Sequence, residues 1–303
     1  MFAYRIAMPP VAAAADKLEL SPIVAGWWRS VDWNLDAQAR VRWIEQALEL
    51  GISSFDHADI YGDYRAEALF GEAISLAPAL RERVQLVTKC GIRLRSAQRP
   101  YRINYYDSSA AYVRAQVEQS LRNLHTEYLD LVLIHRPDYL LDADALAEVF
   151  DGLGKAGKVR HWGVSNHSAS QFALLHERHP LHTNQLEFSV MQMQALDDGT
   201  LDQAQHLRLR PMVWSPLGGG LLFGDSEQAR RVRAEMTPIA ERHGISLATL
   251  AFAWVLRHPS RPHPITGSGR IEGLLDAVAA LRVELDAQDW YAIWTASKGH
   301  AVP

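Results

Sequence analysis

Four side chains able to move a proton stand at the ends of short apolar runs in this sequence. Ile52–Phe55 ends in Asp56, and Tyr61 follows within Phe-Asp-His-Ala-Asp-Ile-Tyr-Gly. Val84–Thr88 ends at Lys89, Leu129–Ile134 at His135, and Val159–Val164 at Ser165 and Asn166. A free phenol has a pKa of about 10 and is a poor acid near neutrality. An ammonium group beside it favours the phenolate, so Lys89 is expected to lower the Tyr61 value. Asp56 would keep Lys89 charged and in place, and His135 would hydrogen-bond a carbonyl oxygen. Together the four predict a phenol that protonates an oxyanion as it develops. Taken singly, each has an ordinary use: Asp as a helix cap, Tyr as core or rim, Lys as a solvated charge, His as a satisfied structural residue.

The elements that must bring these ends together alternate regularly. The spacing predicts strands at Pro22–Trp28, Ile52–Phe55, Val84–Thr88, Leu129–Ile134, Val159–Val164, Thr183–Leu186, Pro211–Trp214 and His263–Thr266. Helical patterns fill the gaps. Asn34 or Asp36 would cap the first, with Val41, Ile44 and Leu48 on its apolar stripe and Gly51 as its stop. Asp107 or Ser108 would cap another, which buries Val113, Val117, Leu121 and Leu124. Eight strand–helix units with no break in composition imply parallel strands and a single α/β domain over residues 1–303. That is the size of a (β/α)8 TIM barrel, whose active site lies at the C-terminal ends of the strands. A doubly wound open sheet is the runner-up, but no Gly-x-Gly-x-x-Gly follows the first strand. Tyr4–Ala7 and Lys17–Leu20 are expected to form a short N-terminal β-hairpin cap.

Composition removes several other classes. The 31 basic and 35 acidic residues give a formal charge of −4, which offers no nucleic-acid or anionic-membrane surface. No apolar run is long enough to span a bilayer. The Ala-rich start resembles a signal peptide only loosely, since Pro9-Pro10 interrupts its apolar stretch. The one cysteine, Cys90, excludes an intrachain disulfide and favours a reducing, cytoplasmic setting. It is expected as a buried thiol facing the layer between strands and helices. His57, Asp59 and His135 raise metal-dependent hydrolysis as a competing chemistry, but no His-x-His lies on the first strand and Lys89 would bring a cation nearby. No metal is expected.

Two late glycine-rich loops point to a phosphate-bearing cofactor. Trp214-Ser215-Pro216-Leu217-Gly218-Gly219-Gly220 follows the seventh strand, and Thr266-Gly267-Ser268-Gly269-Arg270 follows the eighth and opens a helix. Loops at those two positions with a helix N-terminus make the common barrel phosphate site. Arg270 adds a cation suited to a phosphate monoester.

With these motifs assembled, the chain resembles the aldo-keto reductases over nearly its whole length. Phe55 to Gly62 is similar to the family's Asp-x-Ala-x-x-Tyr-Gly signature, and Leu121 to His135 to its second. Gly163-Val164-Ser165-Asn166, Asn184-Gln185 and Trp214-Ser215-Pro216-Leu217 match three further stations in order. Lys89-Cys90-Gly91-Ile92 and the final Val302-Pro303 bring it nearest to a bacterial branch of that family. The resemblance implies that Tyr61 is the general acid–base, that Lys89 and Asp56 tune it, and that His135 orients a carbonyl. It implies that Ser165, Asn166 and Gln185 hold a nicotinamide carboxamide and that Trp214 stacks on the ring. Ser215, Leu217 and Gly218 would meet the pyrophosphate. Gly267, Ser268 and Arg270 would contact the adenosine phosphate, favouring NADPH over NADH. Tyr64 and Ala66 stand where the family often has Gly and Ser, so the start of the following helix is expected to differ.

Trp27 and Trp28 are expected to wall the substrate cleft with the Arg93–Tyr106 loop. The expected activity is NADPH-dependent reduction of a small-molecule carbonyl. A regulatory cofactor-binding barrel, of the kind found in potassium-channel β subunits, is the alternative from another class.

Overall fold

In the computed structural model, which describes residues 18–96 and 99–303, eight parallel strands close into a ring. They are Val24–Gly26, Ser54–Asp56, Gln85–Cys90, Leu129–Ile134, Val159–Ser165, Asn184–Glu187, Met212–Trp214 and His263–Thr266. Each pairs with its sequence neighbour, and the eighth returns to the first through Val24↔Ile265 and Ala25↔Thr266. The helices lie outside this ring, so the fold is a (β/α)8 barrel rather than an open sheet.

The strands read as near-continuous apolar runs because both of their faces are covered. One face fills the barrel interior with Val24, Val87, Leu131, Leu133, Met212 and Ile265. The other packs on the helices: Phe55, Leu86, Cys90, Val132 and Ile134 belong to the outer layer. Strand periodicity therefore decides which polar groups enter the interior. Lys89 shares a face with Val87, whereas Cys90 turns outward and is buried beneath the helices. Gly163 is required where it stands, since a Cβ there would lie 2.7 Å from both Leu133 Cδ2 and the Thr183 carbonyl oxygen.

The helices begin and end largely for local reasons. Asp36 caps Ala37–Glu49 by accepting from the Ala39 amide, and Gly51 closes it at φ +79°. Ser109, not Asp107 or Ser108, caps Ala110–Asn123. Asp107 is engaged elsewhere, bonded to Arg93 and to the Ser109 hydroxyl.

Three further expectations change. The first strand is confined to Val24–Gly26, and the backbone beyond it is held by the Trp27 amide donating to the Asp56 carbonyl at 2.9 Å. The Arg93–Tyr106 loop contains an antiparallel pair, Ile92–Arg93 with Tyr105–Tyr106, that no alternating run announced. Tyr4–Ala7 of the expected N-terminal hairpin lies outside the described residues, and Leu18–Leu20 carry no strand. No helix among the described residues is long and apolar enough to cross a membrane.

Candidate active site

Asp56 ends the second strand with Ser54 on its interior-facing side, and the chain turns at once toward Tyr61. The turn is unusual: Gly62, Asp63 and Tyr64 are all left-handed, at φ +58°, +56° and +64°. At Gly62 this is a requirement of space as well as of φ, because an added Cβ would sit 2.3 Å from Val31 Cγ1. The helix then starts at Ala66 with no side-chain cap.

Lys89 is fully buried inside the barrel, and its ammonium has three partners. It donates to Asp56 Oδ2 at 2.7 Å, to the His57 carbonyl oxygen at 2.8 Å and to the Tyr61 hydroxyl at 3.0 Å. Burial alone would lower its pKa, but Asp56 and Tyr61 outweigh burial and hold it above the ordinary value. The other oxygen of Asp56 accepts from Gln185 Nε2 at 2.8 Å. The second and sixth strands stand opposite one another in the ring, so this bond crosses the barrel.

The Tyr61 phenol is not lowered as expected from the sequence. Burial raises its pKa above the ordinary value and Asp56 adds to the rise, while Lys89 and Arg136 pull against it. Tyr61 is thus a protonated hydroxyl over the whole neutral range. His135 lies beside it, with ring centroids 5.8 Å apart and nearly perpendicular planes. Burial, Lys89 and Arg136 push its pKa well below the imidazole range, so the ring is neutral. Among the described residues its Nδ1 has no partner, so within them His135 is not a satisfied structural histidine.

These groups open on a cavity of about 720 Å³ at the C-terminal ends of the strands. Asp56, Tyr61, His135, Ser165, Gln185 and Trp214 line its inner end, while Gly267, Ser268 and Arg270 line another stretch of its wall. Ser215 and Leu217 border it between, but Asn166 and Gly218 do not. Asn166 acts one step back, accepting from Trp214 Nε1 at 3.0 Å and donating to Ser165 Oγ at 2.7 Å. Gly218 is buried against Met191.

The tryptophan pair separates. Trp28 is 55% exposed and lines the cavity. Trp27 is buried away from it, among Trp33, Trp43, His57 and Phe70 at centroid distances of 4.8–5.9 Å. It is a core residue and is withdrawn from the substrate wall. His57 belongs to the same cluster, its pKa lowered to about 3 chiefly by burial. No group of three or more His, Cys, Asp or Glu among the described residues could hold a metal.

Leu94, in the Arg93–Tyr106 loop expected to wall the cleft, does line the cavity; Arg136, Ile60, Ile92 and Phe223 line it too, without having been expected there. Arg136 alone was detectable, since it follows His135 at a strand end.

The cavity suits a dinucleotide phosphate. Its volume lies within the range of small-molecule sites, about 300–1,000 Å³. Among the described residues nothing lies within 4 Å of where a Cβ would be at Gly267, and Gly219 and Gly220 are left-handed, leaving their backbone open on the cavity side. Just before the helix Ile271–Ala279, which has no side-chain cap, Ser268 Oγ accepts from the Arg270 amide.

Comparison with known proteins agrees with this geometry. Residues 22–298 match the model of the Aldo/keto reductase family. Oxidoreductase YdhF of Escherichia coli (strain K12) is 49% identical, over 94% of this chain and 96% of its own length. The 6-dehydroglucose reductase of Agrobacterium fabrum is 40% identical, over 96% of this chain and 98% of its own. Among solved structures, an aldo/keto reductase from Klebsiella pneumoniae in complex with NADP and acetate superposes with a TM-score of 0.75 at 26% identity, covering 94% of this chain and 93% of that one. The chain is an NAD(P)H-dependent oxidoreductase and belongs to the aldo/keto reductase family.

Proposed function

We propose that the protein reduces an aldehyde or ketone to an alcohol, with NADPH as the preferred cofactor and Tyr61 as the proton donor. The observation that carries this reading is the chain of hydrogen bonds Gln185–Asp56–Lys89–Tyr61, which ends at a protonated phenol facing the cavity beside an unpaired His135. Bound NADPH would supply a hydride to the carbonyl carbon. Tyr61 gives its hydroxyl proton to the carbonyl oxygen, and Lys89 stabilises the phenolate left behind. Asp56 keeps Lys89 charged, and Gln185 fixes Asp56. His135, neutral, orients the same oxygen by donating a hydrogen bond to it.

Ser165 and Trp214 would border the nicotinamide, with Asn166 holding the Trp214 ring in position. Ser215, Leu217 and the left-handed glycines after them would meet the pyrophosphate. Ser268 and Arg270 favour NADPH: the Arg270 side chain is exposed at the cavity edge, where a phosphate monoester would neutralise it. The relatives named 6-dehydroglucose reductases make a sugar-derived aldehyde a reasonable first substrate to try.

The test is titration of tryptophan fluorescence with NADPH and NADH, followed by NADPH oxidation against a panel of aldehydes and ketones. Quenching that is tighter for NADPH, together with turnover, supports the reading. Quenching with no turnover of any carbonyl would leave a cofactor-binding protein and remove the reductase activity.

A further inference from the structure

The assignments above leave Arg136 without a task. It lines the cavity directly after His135, and among the described residues its guanidinium forms no hydrogen bond or ion pair. Its one contact of note is the Trp214 ring, whose centroid is 5.8 Å away. Three other shielded guanidinium groups are paired with a carboxylate: Arg40 with Glu72, Arg81 with Asp130 and Arg93 with Asp107. A charge partly withdrawn from water is costly unless something neutralises it. Glu187 feels the Arg136 charge but makes no ion pair with it.

Position separates Arg136 from the cofactor's cation. The fourth strand, which delivers His135 and Arg136, stands opposite the eighth, which delivers Arg270. Arg136 is instead close enough to the reacting pair for its charge to act on both Tyr61 and His135. The same cavity has apolar walls, contributed by Ile60, Ile92, Leu94, Trp28 and Phe223. A planar guanidinium fork matches a carboxylate bidentately, whereas a hydroxyl would return hydrogen bonds but no charge.

We propose that Arg136 is a substrate-recognition residue and that the preferred substrate is an oxo acid, whose carboxylate Arg136 holds while its carbonyl oxygen meets Tyr61 and His135. This inference rests on the carbonyl-reductase reading. The apolar walls of the same cavity then take the carbon skeleton of the acid.

The test compares kcat/KM for 4-oxobutanoate and 2-carboxybenzaldehyde with that for their methyl esters, at saturating NADPH, in the native protein and in Arg136→Met. The native protein should prefer at least one acid to its ester. In Arg136→Met that preference should fall by about 10- to 100-fold, the worth of hydrogen bonds to a charged group, and chiefly through KM. Arg136→Lys should restore only part of it. NADPH quenching of tryptophan fluorescence checks that each variant retains its fold. An acid-to-ester ratio that is the same in native protein and Arg136→Met overturns the proposal. So does a native preference for both esters, or an equal fall in kcat for acids and esters, which would place Arg136 on the oxyanion instead. Absence of turnover with every carbonyl would overturn the reductase reading itself, and this inference with it.

Discussion

Tyr61 holds its proton more firmly than a free phenol, and the sign of that shift fixes the pH behaviour of the reaction. The reducing direction uses the protonated form, which is complete below the ordinary phenol value of about 10. Because burial raises the Tyr61 pKa further, kcat for reduction should stay level from about pH 7 to 9 and decline only in stronger alkali. His135 is neutral throughout that window, since its own shift is downward. Tyr61→Phe should reduce kcat by about 10²- to 10⁴-fold, the usual worth of a general acid, and leave NADPH affinity nearly unchanged. A steady-state pH profile beside a fluorescence titration checks both; retained turnover would remove Tyr61 from the mechanism. The tryptophan pair gives a second contrast at this scale. Trp27→Ala should cost about 3–5 kcal/mol of stability, as for a large aromatic lost from a packed core. Trp28→Ala should leave the melting temperature almost unchanged and raise KM. Thermal melts and initial rates on both variants distinguish the roles.

The element that sets the position of Tyr61 is the left-handed turn Gly62–Tyr64, and it does not stand alone. The Tyr64 hydroxyl accepts from the Leu94 amide at 2.9 Å and donates to the Leu94 carbonyl at 3.2 Å, while Arg99 lies 3.8 Å over its ring. Three successive left-handed residues, two of them not glycine, are held by this tie to Leu94, just past the strand Ile92–Arg93, which also walls the cavity. Tyr64→Phe keeps the ring and loses both bonds. It should destabilise the protein by about 1 kcal/mol and raise KM more than it lowers kcat, because Leu94 loses its anchor. An unchanged KM would separate the tie from substrate binding. The sequence showed, to within a residue, where four of the strands end, because apolar runs stop at Asp56, Lys89, His135 and Ser165. It did not show the Ile92–Tyr106 pairing or the Tyr64 tie, which join residues 14 and 30 positions apart. The Ser109 cap was hidden for a similar reason, since Asp107 is claimed by an arginine brought close only by that hairpin. Nor could adjacency in sequence tell which of Trp27 and Trp28 faces the core, because the first strand stops before either.

For the whole molecule, the buried ionisable groups divide into two sets with opposite effects on stability. His57 is lowered to about 3, and His167, His182 and His263 to about 4, each chiefly by burial. Their contribution is complete above the unfolded value of about 6.5 and is lost as pH falls toward 4. Asp59 works the other way. Burial and the neighbouring Glu67 raise its carboxyl to about 7, against the pull of Gln116 and Tyr112. The folded protein therefore keeps a proton that the unfolded chain releases above about pH 4, and stability drains away as pH rises from 4 to 7. Four histidines outweigh this, so the melting temperature should fall between pH 7 and 5. Asp59→Asn isolates the opposing part. The amide oxygen still accepts from Gln116 and Tyr112, whose bonds to Asp59 Oδ2 are 2.9 and 3.1 Å, and no charge remains to be buried. The variant should melt higher than the native protein at pH 8, and the gain should shrink steadily on acidification toward pH 4. Its melting temperature should consequently fall more steeply with acid than that of the native chain. Melts of both proteins from pH 8 to 4.5 decide the matter: a difference that is constant across the series would mean that Asp59 is ionised in the folded state, and that the carboxylate behind the catalytic turn is charged during turnover.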